Sequence, residues 1–329
     1  MLEKITVLGG SGFVGTSLCQ LLKDKQKNFE IIDLKISKKF PDNCKIGDVR
    51  DIDSLRRVIS GQILINLAAI HKDDIRDKAD YQRTNILGAQ NVAKVCEEKG
   101  IKKIIFTSSV AVYGFAEAGT DETGLIQPFN EYGRTKFEAE EIMRSWNEDE
   151  NNSLIIVRPT VIFGEGNRGN VYNLFNQIAS GKFVMIGNGK NYKSMAYIRN
   201  VVEFLNVCIE TNQKYGIYNY VDTPDLSMNE LVSIVQKRLK NKLGVGIRIP
   251  YWIGITIGYI ADIFSLLTGR SLLISSIRVK KFISSTAFCS SKNKLENFQP
   301  PFTISEGILR TLESEFVSPD PNREIFFTE

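Results

Sequence analysis

The sequence predicts an α/β fold, in which a Rossmann-type, doubly wound parallel sheet carries a smaller, mainly C-terminal lobe. Strand-like apolar runs alternate with helical stretches through residues 1–160, as in a series of β-α-β units. A glycine-rich turn joins the first run to the first helix. After Arg158 the pattern becomes irregular, and glycines mark loops. At 329 residues the chain is long enough for a molecule with two lobes.

Five apolar runs are short, continuous and rich in β-branched residues, which is typical of buried parallel strands. They are Ile5–Leu8, Phe29–Asp33, Ile63–Ala69, Ile104–Ser108 and Leu154–Arg158. Helices fit between these runs, and four are predicted. They are Phe13–Lys25, Asp53–Val58, Thr84–Glu98 and Glu131–Trp146.

The bulk composition is that of an ordinary soluble protein, with 43% hydrophobic and 24% charged residues. The five cysteines are scattered, so we expect reduced thiols in a cytoplasmic protein, with neither a disulfide framework nor a metal site. Met1 leads directly into a strand that contains charges, and we predict no signal peptide. His71 is the single histidine, so a Ser-His-Asp hydrolase would depend on it alone.

Gly9, Gly12 and Gly15 form a G-x-x-G-x-x-G motif between a predicted strand and a predicted helix. In that context glycines allow a tight turn and a close approach of the backbone to a phosphate at the helix N-terminus. We therefore predict a dinucleotide site at this turn, with Phe13 and Val14 opening the helix beside it.

Asp33 ends the second predicted strand. A carboxylate there accepts hydrogen bonds from ribose hydroxyls and repels a 2′-phosphate, which favours NAD over NADP. Three lysines that follow it, at 35, 38 and 39, act in the opposite direction. Further cofactor contacts are expected from Asp48 and Val49, which precede the third predicted strand and would meet the adenine. Leu67, Ala68 and Ala69, at the end of that strand, are expected to let the cofactor lie against the backbone.

Tyr132 and Lys136 are four residues apart and so share one face of a helix. The lysine ammonium can lower the pKa of the phenol, which otherwise titrates near ~10, and make it a proton shuttle for a sugar hydroxyl. Ser109, at the end of another strand, can hold the substrate oxygen. Together with a dinucleotide, these residues indicate hydride chemistry on an alcohol.

These features resemble the extended short-chain dehydrogenase/reductase family of nucleotide-sugar epimerases and dehydratases, along the whole chain. The positions that match are Gly9, Gly12, Gly15, Asp33, Asp48, Asn85, Thr107–Gly114, Tyr132 and Lys136. The resemblance implies NAD as cofactor, contacted also by Asn85 and Pro159. It further implies that Ser109 is the catalytic hydroxyl, Tyr132 the acid/base and Lys136 the residue that holds the nicotinamide ribose.

The branches of this family differ in their chemistry. The 4,6-dehydratases carry an Asp-Glu pair after the catalytic hydroxyl, whereas this chain has Val110 and Ala111, which cannot act as acid or base. Epimerases of soluble UDP-galactose show an Arg-Tyr-Phe-Asn run, whereas this chain has Arg158–Val161. They also show Arg-Asp where this chain has Met195 and Ala196.

The resemblance is closer to a subgroup, the bacterial 4-epimerases of O-antigen assembly that act on N-acetylglucosaminyl-diphospho-undecaprenol. The segments that carry it are 47–51, 71–74, 158–174, 193–197 and 278–282. It implies that the product is the N-acetylgalactosaminyl form. Candidate residues for the substrate are Ser109, Arg168, Asn170, Lys193 and Arg278.

Other functions stay open at this point. The chain could epimerise soluble UDP-N-acetylglucosamine or UDP-glucose, or be an NAD(P)H-dependent 4-ketoreductase that consumes reduced cofactor. A nucleotide-sensing scaffold is disfavoured because Ser109, Tyr132 and Lys136 are all present. A nucleic-acid binder is disfavoured because no stacking aromatics interleave the basic residues.

Residues 249–267 are almost wholly apolar, with Asp262 as the single charge. Residues 231–295 carry eleven Lys and Arg against this one acid, which suits a diphosphate or an anionic membrane. Pro250 and Asp262 argue against a membrane span. Two readings remain, a buried helix of the small lobe or a segment that docks on the membrane.

We expect residues 1–163, with 197–221 returning to them, to form the NAD-binding domain. Residues 164–196 and 222–329 then form the substrate-binding lobe. The expected location is the cytoplasm, peripheral at the inner face of the inner membrane, and a homodimer is kept open.

Overall fold

The computed structural model describes residues 3–71, 77–268, 275–290, 295 and 298–328. The strands within these ranges are β1 (Ile5–Leu8), β2 (Phe29–Asp33), β3 (Cys44–Ile46), β4 (Ile63–Asn66), β5 (Lys103–Thr107), β6 (Ser153–Pro159), β7 (Val161–Phe163), β8 (Met185–Ile186), β9 (Tyr192–Lys193), β10 (Met195–Tyr197), β11 (Tyr215–Tyr220), β12 (Leu226–Ser227) and β13 (Arg248–Ile249).

The α-helices are α1 (Phe13–Asp24), α2 (Ile52–Val58), α3 (Ala79–Tyr81), α4 (Gly88–Lys99), α5 (Glu131–Trp146), α6 (Asn170–Ala179), α7 (Ile198–Glu210), α8 (Met228–Lys240), α9 (Tyr251–Thr268), α10 (Ser276–Ile283) and α11 (Ile304–Leu312). A π-helical stretch, Gln82–Leu87, connects α3 to α4. A 3₁₀ turn, Val110–Tyr113, follows β5.

Seven parallel strands form the main sheet in the order β11-β6-β5-β4-β1-β2-β3. The order reverses at β1, because the chain builds outward through β2 and β3 and then returns to place β4 on the other side of β1. The crevice beyond the carboxyl ends of strands at such a reversal is where doubly wound sheets bind ligands. The predicted fold class is confirmed.

Alternate residues of each central strand enter two separate cores, one on each face of the sheet. In β5, Ile105 packs into the core that includes α1 and α7, whereas Ile104 and Phe106 pack into the core that includes α4 and α5. All three side chains are buried. Burial on both faces explains why these strands are continuous apolar runs in the sequence.

The predicted strand over Ile63–Ala69 is too long, because β4 ends at Asn66. The Asn66 side chain accepts a hydrogen bond from the Ala68 N–H (3.1 Å), which closes a local turn instead of extending the strand. The predicted helix over Thr84–Glu98 starts too late, since helical backbone already begins at Ala79.

Two strands of the sheet were not predicted. β3 has three residues, and its Lys45 and Ile46 are exposed, so it lacks the apolar run of a buried strand. β11 is rich in tyrosine rather than aliphatic residues. Both are edge strands of the sheet, and their pairing with β2 and β6 defines them.

Helix α9 contains most of the predicted apolar segment and packs on the C-terminal lobe through small residues. A Cβ on Gly254 would lie 2.5 Å from the Ile186 side chain, and one on Gly258 would lie 2.8 Å from the Ser276 Cα at the start of α10. These glycines and Ala261 are its buried residues. Most of the large apolar side chains therefore face away from the lobe, although Ile253 and Ile255 are half-buried.

Candidate active site

The glycine turn between β1 and α1 is built for close backbone contacts. Gly9 has φ +75°, and a Cβ there would lie 2.9 Å from the Ala68 nitrogen in the loop after β4. A Cβ on Gly15 would lie 2.5 Å from Gly10 Cα. By contrast, a Cβ on Gly12 would meet a single described atom, the Gly9 oxygen at 3.4 Å. The turn is thus tightly packed at Gly9 and Gly15, whereas the space next to Gly12 is open.

Helix α1 starts at Phe13, and no side chain caps its first N–H groups at Gly12. Uncapped N–H groups and the helix dipole together attract a phosphate. Phe13 is buried, and its ring centroid lies 5.8 Å from that of Phe326 near the C-terminus. Val14 is half-buried and packs against the same core.

Asp33 lies at the carboxyl end of β2, beside the glycine turn. Its Oδ2 accepts a hydrogen bond from the Ser11 N–H at 2.9 Å, and the Ser11 hydroxyl donates to the Lys35 carbonyl at 2.9 Å. These bonds fix the carboxylate at the crevice next to the turn. Its position suits recognition of ribose hydroxyls.

Asp48 is held by its neighbour Arg50. The Arg50 guanidinium donates two hydrogen bonds to the Asp48 carboxylate (2.9 and 2.7 Å), and these bonds lower the pKa of the carboxyl. The Val49 carbonyl accepts a hydrogen bond from Asn91 (2.9 Å). Asp48 and Val49, which the sequence predicts to contact the adenine, therefore lie in a loop that protein contacts already order.

Asn85 lies in the π-helical stretch and is buried. Its side chain bonds both the N–H and the carbonyl of Ile70 (2.9 and 3.1 Å) and donates to the Thr135 hydroxyl (3.0 Å). Asn85 thus joins the loop that carries Leu67–Ala69 to helix α5. In the described structure it positions the loop after β4 through Ile70.

Ser109 is the N-cap of the 3₁₀ turn after β5. Its Oγ accepts a hydrogen bond from the Ala111 N–H at 3.1 Å. An Oγ that accepts from the backbone keeps its own proton for donation. The hydroxyl proton of Ser109 is therefore available for a further hydrogen bond.

Helix α5 begins beside this turn. Its N-cap, Asn130, accepts a hydrogen bond from the Gly133 N–H at 2.9 Å. A Cβ on Gly133 would lie 2.4 Å from the Ala111 carbonyl oxygen, so only glycine allows the helix to approach so closely. This contact brings the first turn of α5, with half-buried Tyr132, next to the turn that carries Ser109.

Lys136 lies one helical turn after Tyr132 and is 2% exposed. Its ammonium lies 4.3 Å from the centre of the Phe106 ring. Burial lowers the pKa of Lys136 to about 8, and the nearby Glu140 carboxylate opposes this shift. At pH 7 most of the group is still charged, so it can stabilise a phenolate at Tyr132.

Behind this helix lies a buried network that the sequence analysis did not identify. The Arg158 guanidinium binds the Glu140 carboxylate (2.8 Å from Nε) and donates to the Tyr113 hydroxyl (2.7 Å), which in turn donates to Asn219 (2.8 Å). The network joins α5, β6, the 3₁₀ turn and β11. Two features of the sequence could have indicated this network. One is the i,i+4 spacing of Lys136 and Glu140, and the other is a charged residue, Arg158, in an apolar strand.

The four substrate candidates besides Ser109 fall into two groups. Arg168 pairs with Glu315 and lies 4.0 Å from the centre of the Tyr172 ring, and Asn170 begins the adjoining helix α6. Lys193 lies by the C-terminal end of α10, the helix that contains Arg278. Its ammonium donates to the carbonyls of Lys281 (2.9 Å) and Ser284 (2.6 Å), and burial lowers its pKa to about 8.

The residues around the crevice fit a dinucleotide. The uncapped α1 N-terminus, the space above Gly12 and the Asp33 carboxylate lie together at the point where the strand order reverses. At the end of β5, the Thr107 and Ser108 hydroxyl oxygens are buried and have no hydrogen-bond partner among the described residues. Pro159 ends β6, the strand next to β5. Buried polar atoms of this kind normally have a partner, which a bound ligand can supply.

Comparison with known proteins supports the same family. The model of the NAD dependent epimerase/dehydratase family matches residues 5–220. The N-acetyl-alpha-D-glucosaminyl-diphospho-ditrans,octacis-undecaprenol 4-epimerase of Escherichia coli O157:H7 is 44% identical over 335 residues, which cover 100% of both chains. The UDP-glucose 4-epimerase of Vibrio cholerae is 24% identical over 95% of this chain and 96% of its own.

Solved structures share the fold at low identity. The UDP-N-acetylglucosamine 4-epimerase from Bacillus cereus has a TM-score of 0.74 at 17% identity, over 94% of this chain and 98% of its own. The UDP-glucuronic acid 4-epimerase from Bacillus cereus in complex with NAD has a TM-score of 0.71 at 19% identity, over 94% and 97%. The chain belongs to the NAD dependent epimerase/dehydratase family, and its cofactor is NAD.

Proposed function

We propose that the protein is an NAD-dependent sugar 4-epimerase that converts N-acetylglucosaminyl-diphospho-undecaprenol into its N-acetylgalactosaminyl form. The observation that carries this proposal is the 44% identity, over the full length of both chains, to an enzyme with that name. Its placement in O-antigen assembly follows from the subgroup that the sequence resembles. The retained Ser109, Tyr132 and Lys136 support an active enzyme rather than an inactive relative.

In this proposal Tyr132 is the residue that moves the proton. As a phenolate it removes the proton from the sugar 4-hydroxyl, and it returns that proton once the configuration at C4 is inverted. Ser109 donates a hydrogen bond to O4 and holds it at the phenol. When bound, NAD would supply the reversible hydride transfer at C4 that inverts the configuration.

Lys136 maintains the phenolate through its charge and also contacts the nicotinamide ribose. Its own pKa is about 8, so the charge that favours a phenolate is lost as the pH rises through this value. The phenol itself ionises more readily at higher pH. The combination predicts an activity optimum near neutral to mildly alkaline pH.

The apolar face of α9 supports docking on a lipid surface. Among the described residues, α9 is the one helix that is long and apolar enough, by length and composition, to cross a membrane. Its small residues pack on the lobe, and Asp262 accepts a hydrogen bond from the Ser276 N–H (3.2 Å). A helix held by protein along one side suits an interfacial position rather than a span.

The α9 apolar face consists of large side chains that are each at least 43% exposed: Trp252, Ile257, Tyr259, Ile260, Ile263, Phe264, Leu266 and Leu267. The Lys280 ammonium on α10 lies 5.5 Å from the centre of the Tyr259 ring. An apolar face with cations beside it matches an anionic bilayer, at about 1 kcal/mol per Lys or Arg near the surface. We therefore propose a peripheral location on the cytoplasmic face of the inner membrane.

The substrate is tested by incubating the purified enzyme, without added NADH, with N-acetylglucosaminyl-diphospho-undecaprenol and separately with UDP-N-acetylglucosamine. We expect C4 inversion of the lipid-linked sugar. Turnover of UDP-N-acetylglucosamine alone would instead identify a soluble nucleotide-sugar epimerase. A requirement for stoichiometric NADH would identify a 4-ketoreductase.

Membrane docking is tested by cosedimentation with anionic and neutral vesicles. We expect the wild type to bind anionic vesicles, less strongly at high salt, and Trp252→Glu/Ile263→Glu to stay in the supernatant. The matched control is Leu309→Glu/Val317→Glu, which adds the same charge at exposed apolar residues outside α9. Equal loss of binding in both variants would contradict a specific role for α9.

The remaining assignments stay predictions. The division into an NAD-binding part (1–163 with 197–221) and a substrate-binding part is one of them. The individual cofactor and substrate residues and a homodimer are the others. Light scattering of the purified protein tests the oligomeric state directly.

A further inference from the structure

Two exposed aromatic rings lie close in sequence to Tyr132, and the proposed mechanism does not use them. Phe115 and Phe129 are 59% and 44% exposed, and their ring centroids lie 4.6 Å apart. They stand at the two ends of the loop that leaves the Ser109 turn and returns to α5. Phe129 comes three residues before Tyr132.

The base of this loop is closed, which fixes the aromatic pair beside the active site. The Gln127 N–H donates to the Val112 carbonyl at 3.1 Å. Gly114 has φ +66°, and a Cβ there would lie 2.0 Å from the Gln127 oxygen. The pair therefore sits at the closed neck of the loop, not at its free tip.

Positive charge adjoins the pair. The Lys281 ammonium on α10 lies 5.0 Å from the centre of the Phe129 ring. The Lys193 ammonium donates to the Lys281 carbonyl, so a second cation lies at the same end of α10. An apolar surface with adjacent cations is complementary to a diphosphate that carries a hydrocarbon chain.

The same helix leads from the pair to the α9 apolar face. Helix α10 packs against α9 where Gly258 meets Ser276, and Lys280 lies over Tyr259. Lys281, which lies over Phe129, and Lys280 are consecutive residues, so one helix contacts both the aromatic pair and the α9 apolar face.

We propose that Phe115 and Phe129 form a subsite for the first isoprene units of a polyprenyl diphosphate-linked sugar, with Lys281 beside the diphosphate. The subsite rests on the proposed function and deepens it, because it names the part of the chain that distinguishes a lipid-linked sugar from a nucleotide-linked one. Flat apolar rings suit an isoprenoid chain, which has hydrocarbon to bury and no polar group to satisfy.

The test compares wild type with Phe115→Ser/Phe129→Ser on N-acetylglucosaminyl-diphospho-undecaprenol and on UDP-N-acetylglucosamine. Loss of the ring contacts should raise KM for the lipid-linked substrate about tenfold. We expect kcat, bound NAD and any activity on the UDP-sugar to stay within twofold of wild type. Phe115→Leu/Phe129→Leu, which keeps apolar side chains, should restore most of the affinity.

The matched control is Leu125→Ser, because Leu125 lies on the same loop and is 71% exposed. It should leave KM unchanged. If the serine double variant has the KM of wild type, or if Leu125→Ser raises KM equally, the subsite is overturned while the epimerase assignment stands. If the wild type does not act on the lipid-linked sugar at all, the proposed function itself fails.

Discussion

The main sheet and the α9 region use the same apolar residue types in opposite ways. In β5, Ile104 and Ile105 are wholly buried between helices on the two faces of the sheet. In α9, Ile260 and Ile263 are 62% and 59% exposed, and the glycines and an alanine are turned inward. Hydrophobic burial stabilises the first region, whereas the second leaves its apolar surface for a contact outside the chain.

The polar groups differ in the same way. Beneath the sheet, Glu30 is bonded by Lys4, Lys45 and Ser60, and Arg158 and Glu140 form a buried pair behind the catalytic helix. In the C-terminal lobe, the Arg238–Glu313 pair is at the surface. The comparison teaches that these charges of the sheet region are paired inside the protein, whereas the lobe leaves this ion pair and the α9 apolar face at the surface.

The largest expected effect concerns Tyr132, the proposed acid/base. Tyr132→Phe should lower turnover by ~10²–10⁴-fold, since only the phenol oxygen moves the proton, while the fold and the bound NAD remain. Tyr259→Phe on α9 is the matched control and should keep wild-type turnover on a detergent-solubilised substrate. Rates are measured by separating the two sugar epimers. Near-normal turnover of Tyr132→Phe would show that Tyr132 is not the acid/base, and the proposed catalytic role of the sheet region would fail.

The second prediction compares the two apolar surfaces directly. Ile105→Ala should lower the free energy of unfolding by about 2–5 kcal/mol, because it leaves a cavity in a packed core. Leu266→Ala, at a residue that is 85% exposed, should change it by less than about 0.5 kcal/mol. Urea titration without lipid measures both. A large decrease in the free energy of unfolding for Leu266→Ala would mean that the exposed side of α9 stabilises the fold.

The third prediction uses pH. Burial raises the pKa of Glu30, but hydrogen bonds from Lys4, Lys45 and Ser60 together outweigh it and lower the pKa to about 2, against an ordinary value of 4.5. A carboxyl with a lowered pKa stabilises the fold above the higher value and loses that contribution as the pH falls through the lower one. The contribution is up to about 3 kcal/mol.

Glu30→Gln should therefore unfold more easily than wild type at pH 7, and the difference should shrink as the pH is lowered from about 4.5 towards 2. The control is Glu313→Gln in the exposed pair, which should cost no more than about 1 kcal/mol at any pH. The measurement is the urea midpoint across this pH range. A difference for Glu30→Gln that stays constant with pH would show that its charge is not what stabilises the sheet region.

The smallest expected effect is on cofactor choice. Asp33→Ser removes the carboxylate that is predicted to face the ribose, so NADP should bind to the apoprotein roughly tenfold more tightly than it binds to wild type. Asp33→Asn keeps the size of the side chain, so its comparison with Asp33→Ser separates the effect of charge on NADP binding from the effect of side-chain volume. Titration of both cofactors by fluorescence measures the change. If wild type binds NADP and NAD with equal affinity, the lysines that follow Asp33 outweigh the repulsion between its carboxylate and the 2′-phosphate.

Much of the sheet region could be predicted because its local patterns agree with its packing. Helix Glu131–Trp146 was predicted with its observed bounds, and the glycine motif lies between β1 and α1 as expected. Strand β3 could not be predicted from its three residues, because its pairing with β2 defines it. The Glu140–Arg158 pair links α5 to β6, and its geometry depends on how the helix crosses the sheet.

The sequence by itself determined the fold class and the glycine motif, because each depends on local patterns of residue types along the chain. The assignment of Ser109, Tyr132 and Lys136 as a catalytic trio stays a prediction that rests on the family resemblance. The sequence also determined that residues 249–267 are apolar. Only the tertiary structure decided which side of that helix is covered. Gly254 and Gly258 allow close contact with the lobe, so most of the large side chains face outward, and no local pattern of hydrophobicity contains this information.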